Sequence, residues 1–257
     1  MTLRWVPGWN GLTDPDAVSY VAAVEAADNQ ELEFGVARAI NDFVVGCKND
    51  GIWDAIKACC ILAGARTTNG ALVPLVGDAP TPYNFDLVGD TDYNRVTGLK
   101  GDGSTKYLDS NRLDSADPQD NAHFSFYVAT APSSNDALMF TNYGANATGL
   151  FYGTSYQFYL RAVTPLTTTA GSTGFVGASR SGATSSVTRV SGANTSSSVA
   201  STGLKNESLI IFNDQTKLST YASTARISFY SIGESLDLAL LDTRVSNLMT
   251  AIGAAIP

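Results

Sequence analysis

Histidine is nearly absent from this chain of 257 residues, His123 being the only one. A histidine-built zinc site is therefore excluded. His123 lies between Ala122 and Phe124 in a β-type run, where a packed imidazole is the expected role rather than a general base. Cysteine is scarce too. Cys47, Cys59 and Cys60 are odd in number, two of them adjacent, so they write neither a disulfide framework nor a CxxC motif. Buried free thiols and a reducing compartment are expected. Charged residues make up only 16 %, and acidic ones outnumber basic ones 24 to 16 for a net charge of −8. Nucleic-acid binding, which needs clustered Lys and Arg, is not expected. No apolar run reaches the roughly 18 residues of a membrane span, and the opening Met1–Pro7 does not read as a secretion leader. The glycine-rich stretch 98–106 places Ser104 after Gly103 and Lys106 too late for a phosphate loop. It is expected to be a tight turn with Gly101 and Gly103 at positive φ.

What the chain does have is two kinds of patterning. In residues 1–60 the signals are helical. Asp14 before Pro15 is a helix start, and Asp28 with Glu31 looks like a second capping pair. Leu32, Val36, Ile40, Phe43 and Val44 follow as one apolar stripe, which Asn49-Asp50-Gly51 ends. A further helical turn is expected around Ile52, Trp53 and Ile56.

Beyond residue 60 Gly, Pro, Asn and Asp punctuate short β-type runs: 72–76, 107–109, 123–130, 137–142, 149–152, 157–163, 174–179, 186–190, 208–213 and 225–232. Phe124, Phe126 and Val128 alternate with Ser125 and Tyr127, as in a half-buried strand. More than half of residues 167–203 are Ser, Thr or Gly, yet Phe175, Val176, Val187 and Val190 keep strand spacing, so weakly specified strands are expected there. Leu238, Leu241, Val245, Leu248, Met249 and Ile252 then form an amphipathic C-terminal helix, with Ser235 as candidate cap.

No pair of carboxylates stands in a strand as glycoside hydrolysis would require, so no catalytic residue is assigned. Asp90, Asp92, Asn94, Asp114, Asp117 and Asp120 carry the oxygens calcium takes, but without EF-hand spacing. Solvated acidic turns are the simpler reading, and neither metal nor other cofactor is expected. The tyrosines of the β region stand out, among them Tyr143, Tyr152, Tyr156 and Tyr159 as a candidate binding surface. Such rings stack on sugars and fill interfaces at low entropic cost.

Three runs resemble a known family. In residues 93–112 a Gly101-Asp102-Gly103 turn feeds Tyr107-Leu108; residues 123–128 form the next strand; and Ile227-Ser-Phe-Tyr230 opens a closing run to Asp242. Together they resemble concanavalin-like (laminin-G-like) modules, in particular those of tailed-bacteriophage structural proteins, which occur in fibres, spikes and decoration proteins. The resemblance implies an antiparallel jelly-roll sandwich over residues 61–257, with residues 1–60 as a helical attachment or oligomerisation segment. Leu32, Val36, Ile40 and Phe43, short for a coiled coil, would pack either against the sandwich or against two sister copies in a homotrimer, where they would be the oligomerisation residues. Lectin members of the family use calcium held by Asp and Asn, but no such ligand set can be placed on this sequence.

The expected protein is thus a mainly β, non-enzymatic virion component. It would be a tail fibre or receptor-binding protein holding a host surface polysaccharide, contacting other virion proteins and not inserting into membranes. The alternatives are a capsid decoration protein and a glycan depolymerase.

Overall fold

The computed structural model describes residues 11–133, 135–170 and 173–257; Met1–Pro7 lies outside the described residues. The helices are α1 (Pro15–Asp28), α2 (Phe34–Asn49), a single turn α3 (Thr68–Ala71) and α4 (Leu238–Ala255). The strands are β1 (Ile56–Ile61), β2 (Thr81–Tyr83), β3 (Tyr93–Asn94), β4 (Gly98–Lys100), β5 (Tyr107–Leu113), β6 (Ala122–Thr130), β7 (Asp136–Phe140) and β8 (Ala147–Tyr152). They continue with β9 (Tyr156–Ala162), β10 (Thr167–Thr169), β11 (Gly174–Gly182), β12 (Ser185–Val190), β13 (Ala193–Ser197), β14 (Ser208–Ile211) and β15 (Arg226–Gly233).

These strands form two antiparallel sheets packed face to face, the mainly β sandwich expected from the sequence. One sheet has eight strands in the order β13-β12-β11-β6-β15-β4-β3, with β1 also on β15; the other has seven in the order β10-β9-β8-β7-β14-β5-β2. Strand alternation sorts the side chains. Phe124, Phe126, Tyr230 and Ile232 of the eight-stranded sheet meet Leu108, Leu150, Tyr156, Phe158 and Ile211 of the other in the inter-sheet core. The opposite side of the eight-stranded sheet, with Cys59, Ile61, Phe175 and Phe229, is covered by α1, α2 and α4. The molecule therefore has three layers: helices, eight-stranded sheet, seven-stranded sheet.

The stripe Leu32, Val36, Ile40, Phe43 is buried inside this chain, Phe43 meeting Phe229 edge-on at 5.7 Å. Of the two placements open to it, the stripe takes the one against the sandwich, and its assignment to an oligomer seam is corrected: the outer face of the eight-stranded sheet needs an apolar cover, and α2 supplies it. Ion pairs fix the layer, Arg244 donating from Nε and Nη2, one edge of its guanidinium, to the two Asp50 oxygens at 2.7 and 2.8 Å and Arg189 of β12 reaching Asp242 of α4 at 2.7 Å. The boundary drawn at residue 60 is corrected too, because it cuts β1. The helical turn expected around Ile52, Trp53 and Ile56 is there, as a 3-10 turn at Trp53–Ala55, and β1 follows it, apolar on both faces: Cys59 and Ile61 face helices while Ala58 and Cys60 face the inter-sheet core.

Local signals were mostly sound. Asp14 caps α1 by accepting the Asp16 N–H at 2.9 Å. Asp237, rather than Ser235, caps α4. Asp28 does not open α2; its carboxylate accepts the N–H groups of Arg66, Thr67 and Gly70 and so ties α1 to the turn before β2. Residues 72–76 form no strand beyond one bridge between Val76 and Cys59. In the glycine-rich turn Gly103 has φ +70°, as expected, whereas Gly101 is needed for closeness, since a Cβ there would lie 2.0 Å from the Ser223 carbonyl oxygen.

Candidate ligand-binding face

Among the described residues no helix packs on the outer side of the seven-stranded sheet; the helix-side core draws nothing from its strands. Period-two alternation places Phe140 of β7, Gly149 and Phe151 of β8, and Gln157 and Tyr159 of β9 on this side, with Phe140 opposite Gly149 and Gly149 opposite Tyr159. The ring of Tyr143, in the hairpin after β7, folds back over them. It stacks on Phe140 at 4.8 Å and 29°, and lies 5.5 Å from Phe151, 6.1 Å from Tyr159 and 6.0 Å from Tyr221. Tyr143 remains 42 % exposed while Phe140 beneath it is fully buried. An exposed aromatic ring is thus held by four others, with little freedom left to lose on binding.

The surroundings explain why Tyr143 stays there. Its neighbour Asn142 is gripped on both backbone groups: Glu207 accepts its N–H at 3.1 Å, and the Lys205 ammonium donates to its carbonyl. Gly149 (φ +151°) makes room below, since a Cβ there would lie 2.6 Å from Cδ2 of Phe140. Tyr221 comes from the loop 213–222, which crosses this face and is pinned where the Ala137 N–H donates to the Tyr221 carbonyl at 2.8 Å.

The polar groups here are hydrogen-bonding ones. Tyr159 donates its hydroxyl to the Gln157 side-chain oxygen at 3.0 Å. Burial pushes the Tyr143 phenol above its ordinary range, with smaller contributions from Tyr159, Tyr221 and Asp214, and burial likewise raises Tyr159. Both hydroxyls therefore stay protonated at neutral pH and above. Asn213 and Asp214, at the root of the loop, are buried with one atom each, Nδ2 and Oδ2, unpartnered. At the far edge of the same side Tyr83 and Tyr107 stack at 4.4 Å and 17°. The Lys217 ammonium, from the same crossing loop, lies 5.9 and 5.3 Å from their centroids.

Of the four tyrosines singled out in the sequence, Tyr143 and Tyr159 come together here. Tyr156 is corrected: it is fully buried in the inter-sheet core, with Tyr152 packed edge-on against it at 5.3 Å on that same side. Phe151 and Tyr221 complete the cluster, while Gln157, Tyr83, Tyr107 and Lys217 had no signal beyond residue type.

The calcium candidates do not converge, and no three His, Cys, Asp or Glu side chains among the described residues could share a metal. Each has a local partner. Asp90 accepts from Thr68, Asp92 pairs with Lys106, and Asn94 caps the Val96 and Thr97 N–H groups. Asp114 pairs with Arg161, Asp117 with Arg112, and Asp120 accepts from Ser201. His123 is buried, bonded to the Glu234 carbonyl at 2.5 Å and to Ser231 Oγ at 2.9 Å, and burial lowers its pKa to about 4. No described helix is long and apolar enough to cross a membrane.

No protein-family model and no curated protein matches the chain. Among solved structures it is similar to a botulinum neurotoxin serotype D binding domain, with 11 % identity and a TM-score of 0.49 over 76 % of this chain and 50 % of that one. It is also similar to a mutant Trypanosoma rangeli sialidase displaying trans-sialidase activity, with 11 % identity and a TM-score of 0.46 over 83 % of this chain and 39 % of that one. The chain spans half the length of the toxin domain and less of the sialidase, and at this distance the likeness says nothing of ligand or activity.

Proposed function

We propose that this protein is a carbohydrate-binding module that holds a polysaccharide, without altering it, on the helix-free side of its seven-stranded sheet. The observation that carries the reading is Tyr143, an exposed ring immobilised by Phe140, Phe151, Tyr159 and Tyr221 beside the hydrogen-bonded Tyr159–Gln157 pair. Apolar sugar faces stack on such rings while hydroxyls exchange hydrogen bonds with neutral phenols and amides. The carboxylates beside Tyr143 hold backbone in place: Glu207 accepts the Asn142 N–H, and Asp214 accepts from the N–H and hydroxyl of Thr216 through Oδ1, its Oδ2 being buried without a partner. Binding without bond cleavage, and without a metal, is therefore the reading.

The resemblance of residues 93–112, 123–128 and 227–242 to phage modules extends the proposal. The polysaccharide would be a host surface glycan, the protein a tail fibre or receptor-binding component of a virion, and its assembly a homotrimer contacting other virion proteins. With α2 committed to the chain's own core, a trimer would have to use other surfaces. Light scattering gives the stoichiometry, and antibody labelling of intact particles gives the position, a capsid-face signal favouring the decoration alternative.

The binding claim is tested by affinity electrophoresis through gels containing polysaccharide. Tyr143→Ala is expected to weaken retardation about tenfold, near 1.4 kcal/mol, with EDTA without effect. Equal retardation of wild type and variant contradicts the site, and release of reducing ends contradicts the non-enzymatic reading.

A further inference from the structure

The loop 213–222 crosses the helix-free face and contributes to two aromatic surfaces at once. Tyr221 joins the Tyr143 cluster, and four residues earlier Lys217 stands beside the stacked Tyr83–Tyr107 pair. From Phe140 on β7, beneath Tyr143, to Tyr107 on β5 the sheet order counts two strand spacings, which is about 10 Å. A single sugar cannot reach both surfaces; an oligosaccharide lying across the strands can.

Both surfaces have an ammonium beside them, but Lys205 donates to the Asn142 carbonyl whereas Lys217 stands against two rings. Lys217 makes no ion pair among the described residues, although most basic side chains here do: Lys48, Lys57, Lys106, Arg66, Arg95, Arg112 and Arg244 are all paired with carboxylates. Among the described residues Lys100, Arg180, Lys205 and Arg226 also make no ion pair, but the last three donate to backbone carbonyls, whereas Lys217 stands against two tyrosine rings. The acids nearest this surface accept local hydrogen bonds, although one buried oxygen of Asp214 has no partner. Asp109, which stands near enough to Tyr107 to help raise its phenol, accepts the Asn111 N–H, and the buried Asp214 accepts from Thr216. Lys217 is thus the charged group on the loop that is open to an incoming anion.

We propose that the ligand is an acidic polysaccharide whose chain crosses this face, stacking at Tyr143 and again at Tyr83–Tyr107, where Lys217 takes the carboxylate of one sugar. This rests on the carbohydrate-binding reading above and names the class of glycan. An ammonium–carboxylate contact in such a half-exposed place is a charge-assisted hydrogen bond that weakens with salt.

The test uses the full chain and three soluble acidic polymers (polygalacturonate, hyaluronate and polysialic acid), each beside its carboxyl-reduced form, with binding followed by calorimetry at low and high salt. Wild type is expected to bind at least one acidic polymer about tenfold more tightly than its reduced form, an advantage that salt erodes. Lys217→Gln should abolish that advantage while leaving affinity for the reduced polymer unchanged, and Tyr107→Ala should weaken both forms. Tyr143→Ala, weakening acidic and reduced polymer alike, reports on the binding face itself. If Tyr143→Ala weakens binding but Lys217→Gln does nothing, or the reduced polymers bind as well as the acidic ones, the acidic-ligand inference is overturned and the binding face stands. If no polymer binds wild type, both are overturned.

Discussion

Tyr143 lies on Phe140 with ring centroids 4.8 Å apart, and Gly149 on the neighbouring strand leaves the room that lets Phe140 lie flat beneath it. The exposed platform therefore depends on a residue with no side chain. Gly149→Ala would place a Cβ 2.1 Å from the Met139 carbonyl oxygen at φ +151°. It should cost roughly 2 to 3 kcal/mol through strain and displaced packing. Thermal unfolding followed by circular dichroism checks this, and an unchanged midpoint would contradict the packing described.

The second prediction separates the core role of α2 from a role between copies. Phe43→Ala removes a buried ring that meets Phe229 edge-on, a loss of about 3 to 5 kcal/mol. The urea midpoint should fall while the mass from light scattering stays that of wild type. A variant that dissociates without losing stability would restore the stripe to an oligomer seam.

Acid should destabilise the protein in two windows. His123 is held near pKa 4 by burial, below its ordinary 6.5. The unfolded chain therefore binds the proton first, and stability falls as pH drops from about 6.5 toward 4, by up to about 3 kcal/mol. Asp102 acts lower. Burial alone would raise it, but the N–H groups of Lys106, Thr105 and Ser104 hold it at about 2, so its contribution fades only below about 3.8. His123→Asn keeps a donor for the Glu234 carbonyl and should flatten the upper window alone. Urea midpoints measured every half pH unit show whether it does.

The three thiols should be silent in the folded protein. Cys47, Cys59 and Cys60 are buried, and burial pushes Cys47 and Cys60 up to about 12. Ellman's reagent should find no thiol under native conditions and all three in denaturant. Rapid native labelling would contradict the core placement of β1.

Much of this was legible in the sequence, and the exceptions have physical causes. Strands with one apolar face, such as that of Phe124, Phe126 and Val128, announce themselves by alternation. β1 did not, although it lies in the same sheet, because its own residues are apolar toward both neighbours, Cys59 and Ile61 on one face and Ala58 and Cys60 on the other, which erases the period. Alternation also separates Tyr156 and Phe158 from Tyr159, but only once the register is known, so inward and outward tyrosines looked alike. One partner of Tyr143 lies far along the chain: Tyr221 reaches the face, as Lys217 reaches Tyr83 and Tyr107, through a loop whose course depends on the finished sandwich. The acidic turns that suggested calcium differ for the same reason, Asp114 meeting Arg161 from 47 positions away.

The most direct test of the account is hydrogen exchange on the protein with and without a polysaccharide that it retains. Protection is expected in the hairpin 141–146 and the loop 213–222, with α1, α2 and α4 unchanged. Protection confined to the helical layer or to the ends of the sandwich would contradict it.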